Sequence, residues 1–179
     1  MENKVANIGF DWDFNKTPQV ILRLLARNGG SMDKLKLIKM IFLADREHLV
    51  RYGRPIVGGQ YYTMRLGPVS SEFKDYIYGK KDGFELPFGV DGYTLVAKEP
   101  ANDDCLSPSD REILDEVYSK FKDYSPVQLV DITHESKAYK ANIPSENSRK
   151  SILYEDFFED TDDKNMLELI TEEQEIRDL

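Results

Sequence analysis

Asp45-x-x-His48 places a carboxylate and an imidazole on neighbouring positions of a helix, a spacing that some carboxylate–histidine metal sites use. A second helix with a matching pair is absent, and the sequence holds only two histidines, His48 and His134. A hydrogen-bonded pair near a helix end is the simpler reading, and no metal is expected. Thr133-His134-Glu135 is likewise too short to make a catalytic motif. Serines are many, but none stands in the Gly-x-Ser-x-Gly turn that exposes a nucleophile. The single cysteine, Cys105, follows Asp103-Asp104, whose carboxylates disfavour a thiolate. Gly53, Gly58 and Gly59 lack the spacing after a strand that a phosphate-binding loop needs. No catalytic residue and no cofactor is expected from these residues.

Charge and composition narrow the function further. The 179 residues carry 24 basic and 33 acidic side chains, a net charge of −9. Residues 155–179 hold 11 acids and 2 bases, so they alone account for that excess. Residues 1–154 are balanced. An acidic block repels phosphate backbones, which makes nucleic acid an unlikely partner. Lys80-Lys81 with Arg54, Arg65 and the basic side of the long helix form at most a small positive patch. One cysteine permits no internal disulfide, and nothing approaches the run of roughly 18 apolar residues that a membrane span needs. Met1–Trp12 has no secretion-signal pattern, so a cytoplasmic location is expected.

The elements that must position these residues are mostly helices. Thr17-Pro18 reads as a helix start, with Val20, Ile21, Leu24 and Leu25 on one face and Gly29-Gly30 as its stop. Ser31 is expected to cap a long helix over 32–52, buried through Leu35, Ile38, Ile41, Phe42, Ala44 and Leu49. Its basic residues, Lys39 among them, fall largely off that stripe. Residues 60–66 read as a strand, 69–78 as a helix, and 84–88 with 93–97 as a hairpin around Gly89–Gly92. Ser107-Pro108 and Ser125-Pro126-Val127-Gln128 open two more helices, the second through a capping box. Residues 136–149 read as a loop, and Thr161 caps a last amphipathic helix. The expected fold is a mainly α, α+β domain with a small antiparallel β element. It spans 1–160, and an acidic C-terminal helix follows over 161–179.

Lys34-Leu35-x-Leu37-Ile38-Lys39-Met40-Ile41-Phe42-Leu43-Ala44-Asp45, then His48, Tyr52-Gly53-Arg54-Pro55-Ile56-Val57-Gly58, Tyr61 and Leu66-Gly67-Pro68-Val69 together resemble the Panacea domain. This is the SocA-like antitoxin family, first catalogued among phage-associated proteins. Leu129-Val130-Asp131-Ile132-Thr133-His134 with Tyr139 is similar to its second signature, and Ile152 with Phe157-Phe158 to its closing segment. The likeness runs over roughly 17–160. It implies a helical domain that neutralises a cognate protein toxin, by occluding it or by delivering it to a protease. Asp45, His48, Thr133 and His134 are then expected to form one polar cluster that pins helices together. Tyr61, Tyr62, Arg65 and Tyr78 are the expected toxin contacts, with the Tyr61–Gly67 strand docking the toxin if it lies at a sheet edge. A DNA-binding autoregulator is the weakest alternative.

Overall fold

The computed structural model describes residues 8–79, 85–146 and 148–179. Lys80, Lys81 and the expected strand start at Phe84 lie outside them, as do the first seven residues. The chain is mixed α+β and mainly helical, with two small antiparallel sheets. Helix α1, Thr17–Arg27, buries Val20, Ile21, Leu24 and Leu25 as its spacing predicts. Its N-cap is Lys16, one residue earlier than expected, because the Thr17 hydroxyl donates back to the Asp13 carbonyl at 2.6 Å.

Ser31 begins a strand rather than capping a helix. Strand β1, Ser31–Asp33, pairs with β5, Thr94–Ala97, in the register Met32 opposite Leu95. The capping task passes to Asp33, whose carboxylate accepts from the Leu35 and Lys36 N–H groups at 2.8 and 3.0 Å. Helix α2, Lys34–Tyr52, runs through the centre of the molecule. Every residue from Leu37 to Asp45 is buried, so this helix has no single stripe and Lys39 lies inside the protein, contrary to the sequence expectation.

Strand β2, Tyr61–Met64, turns back into β3, Gly67–Ser70, and also pairs on its other side with β6, Lys150–Ile152. The sheet order β3-β2-β6 makes β2 the central strand, so the edge position that docking there requires is not met. Val69 and Ser70, expected in a helix, extend β3. Ser70 then caps the shorter α3, Ser71–Ile77. Strand β4, Phe88–Asp91, joins β5 through the two-residue turn Gly92-Tyr93, tighter than the four-residue loop expected. Helices α4, Pro108–Phe121, and α5, Pro126–His134, both open with the capping boxes that Ser107/Asp110 and Ser125/Gln128 provide. A one-turn helix α6, Lys137–Lys140, interrupts the expected loop. Helix α7, Asn165–Arg177, starts four residues after Thr161 and packs Ile170 into the core. Around β2 the core is aromatic. Phe42, Tyr61 and Phe157 meet edge to face, with ring centres 5.3–5.8 Å apart. Among the described residues no helix is long and apolar enough to cross a membrane.

Candidate functional site

Helix α2 carries three ionisable side chains into the interior: Lys39, Asp45 and His48. Each is held differently. Asp45 faces the turn that follows α2 and accepts from three successive backbone N–H groups, Ile56, Val57 and Gly58, at 2.8, 2.9 and 3.0 Å. The Tyr61 hydroxyl donates a fourth hydrogen bond at 2.8 Å. Burial pushes the Asp45 carboxyl up to about 6, against the pull of those four donors. Above that pH the carboxylate is ionised and neutralises the turn's aligned N–H dipoles. The turn can close this tightly because Gly58 has φ of +70°, and a Cβ there would sit 2.6 Å from the Asp11 carbonyl oxygen.

His48 and Asp110 form the second cluster. His48 Nδ1 lies 2.7 Å from the Arg54 carbonyl, which only accepts, so Nδ1 carries the proton. Nε2 then accepts from the Ser109 hydroxyl at 3.0 Å. Burial holds the imidazole below its ordinary pKa and hence neutral near pH 7. Asp110, on α4, is fully buried, 3.0 Å from Arg54 and 3.2 Å from Lys16, and accepts from the Ser107 N–H at 2.9 Å. Burial pushes its carboxyl up, but those partners outweigh it and keep it below the usual carboxylate range. This network fastens α2, α4 and the start of α1 together.

Lys39 belongs to a third place. Its Nζ donates to the Pro68 carbonyl at 2.9 Å and among the described residues no carboxylate pairs with it, so burial brings its pKa down to about 7. Gly67, with φ of +95°, lies against it: a Cβ at Gly67 would be 3.0 Å from Lys39 Nζ, 2.8 Å from Thr133 Oγ1 and 3.4 Å from the His134 ring. The Thr133 hydroxyl donates to Val130, and His134 stacks on Tyr139 with ring centres 4.2 Å apart. Thr133 and His134 therefore clamp the β2–β3 turn, whereas Asp45 and His48 serve the 54–58 turn and α4. The single polar cluster expected of these four residues falls in three places, because Lys39, Asp45 and His48 project from α2 at different levels and in different directions. Lys39 and Asp110 were not singled out from the sequence. The signal for Lys39 was there: a lone charge inside an unbroken apolar run.

The four expected contact residues also separate. Tyr61 is 1% exposed and bonded to Asp45, so it offers no surface to a partner. Tyr78 is half exposed at the end of α3, with Lys34 Nζ 5.0 Å above its ring. Tyr62 and Arg65 lie elsewhere, beside a cleft of about 780 Å³ lined by Met64, Arg65, Tyr139, Ser145, Ser148 and Arg149. The Arg149 guanidinium lies 4.4 Å over the Tyr62 ring, and the Tyr62 hydroxyl donates to Gln60. Arg149 reaches this place because β6 pairs Ser151 with Tyr62. Nothing in the local sequence announces that pairing. Among the described residues no group of His, Cys, Asp or Glu side chains is arranged to hold a metal ion.

The family model for the SocA-like antitoxin, Panacea domain, matches residues 37–140. This chain belongs to that family. The match runs from inside α2 through α6 and takes in Lys39, Asp45, His48, Asp110, Thr133 and His134, and it leaves Lys16, Arg149, β6 and α7 outside. No curated protein and no solved structure matches the chain. Membership of an antitoxin family implies a toxin partner in general.

Proposed function

We propose that this antitoxin acts in the cytoplasm without catalysis, by binding its cognate toxin directly and blocking the toxin's working surface. One observation carries the reading. Asp45, His48, Asp110 and Lys39, the side chains best suited to chemistry, are all at most 1% exposed and bonded within the protein. They hold the fold, which leaves the outer surface to do the work. Tyr62 and Arg65 are retained as toxin contacts, and Arg149 joins them. Aromatic and arginine side chains of this kind dominate the binding energy of many interfaces.

The test is co-expression with the product of the neighbouring open reading frame. Growth should be rescued, the two proteins should elute together, and toxin abundance should stay constant while the complex persists. Rescue accompanied by a falling toxin level would replace occlusion with delivery to a protease. Rescue by promoter repression alone, with no complex, would favour an autoregulator.

A further inference from the structure

Six of the nine arginines in this acidic protein have a carboxylate within 4 Å: Arg23, Arg27, Arg46, Arg51, Arg54 and Arg177. Among the described residues Arg65, Arg111 and Arg149 have none. Two of these three, Arg65 and Arg149, line the same cleft. In a chain with nine excess acids, two unneutralised guanidiniums in one concavity are an unusual concentration of free positive charge. Lys150 follows on β6, while among the described residues the one carboxylate lining the cleft is Glu146. Next in sequence to the lining residues Arg65 and Pro144, Leu66 and Ile143 are 52% and 61% exposed. At about 780 Å³ the cleft suits a few side chains of an extended segment.

We propose that this cleft receives an acidic, extended segment of the partner toxin, its carboxylates held by Arg65 and Arg149 and its apolar side chains against Leu66 and Ile143. Arginine suits the task because its planar fork meets a carboxylate with two parallel hydrogen bonds. Tyr62 stacks under Arg149 and limits its freedom before binding, which lowers the cost of ordering it. The segment is bound by charge and shape at the surface, so its affinity falls with salt. The assignment to the toxin rests on the direct-binding reading above; the chemistry of the cleft does not.

Two experiments keep those apart. In the first, the intact protein labelled with nitrogen-15 is titrated with a short blocked peptide alternating glutamate and leucine. The arginine Nε–H signals of Arg65 and Arg149 should shift, and raising salt to about 0.5 M should abolish the shifts. The Arg65→Gln/Arg149→Gln double variant should bind at least about tenfold more weakly with an unchanged melting temperature, since both side chains lie at the surface. A lysine–leucine peptide should produce no shift. No shift with the glutamate peptide, equal binding by the double variant, or equal shifts with inorganic phosphate would each overturn the proposal, the last by showing a simple anion site. In the second, the Arg65→Glu/Arg149→Glu variant is co-expressed with the toxin and should fail to rescue growth. Rescue equal to wild type would remove this cleft from the interface while leaving direct binding intact. No complex with the wild-type protein would remove direct binding, and the peptide titration would still judge the cleft.

Discussion

Lys39 brings an ammonium group into a helix segment with no exposed residue, and that placement has a pH signature. Its folded pKa of about 7 lies below the ordinary 10.5. Between those values the unfolded chain keeps a proton that the folded chain has released. Stability therefore rises with pH across this window, by up to about 1.4 kcal/mol per pH unit, and the contribution is lost as pH falls toward 7. His134 faces Lys39 and is already neutral there, because burial and the lysine's charge lower its pKa. Above pH 10 the buried Tyr61 and Tyr154 reverse the trend, since their phenols ionise more readily in the unfolded chain. Urea unfolding at pH 7, 8 and 9 should show the rise, and Lys39→Met should flatten it. A flat wild-type profile would mean the ammonium is compensated by a group the fold does not show.

The β2–β3 turn shows how an element depends on one backbone conformation. Gly67 sits at φ of +95°, where an L side chain is strained, and a Cβ would press on Thr133 and Lys39. Gly67→Ala should cost at least about 2 kcal/mol, a fall of roughly 4–8 °C in melting temperature by calorimetry. Gly9→Ala, with an ordinary φ and open space around it, should change little. At this scale much was legible in the sequence. The helix starts at Ser107 and Ser125 followed from local hydrogen-bond chemistry, because a capping box is complete within four residues. The long helix was legible from its apolar content, but not its all-round burial, which depends on what packs against it. Strands β1 and β6 were missed for a shared reason. Each is three residues long, and its partner lies far along the chain, so no local periodicity marks it. That same omission left open whether β2 lies at an edge and hid Arg149 from the candidate contacts.

The whole molecule divides its charge and its stability along different lines. Residues 161–179 carry seven acids and two bases, a net of −5, so truncation at 160 leaves −4. The same residues place Ile170 in the core, and Met166 Sδ would be 3.0 Å from a Cβ on Gly53 at the end of α2. Deleting 161–179 should therefore lower stability by roughly 2–3 kcal/mol in chemical denaturation, mainly through the lost burial of Ile170. It should also speed association with an acidic peptide at low ionic strength, because less negative charge repels the approach. Stopped-flow binding on the truncated and full-length chains separates the two effects, and a slower rate after truncation would show that α7 takes part in contact. The pairing of Tyr62 with Ser151 has one more consequence, in time rather than in space. Arg149 is synthesised 84 residues after Arg65, and the pairing of the three-residue β6 with β2 brings them together. A nascent chain carries the core helix and the first hairpin long before it owns both walls of the cleft, so the ribosome must release the 84 residues from Leu66 to Arg149 before that surface exists.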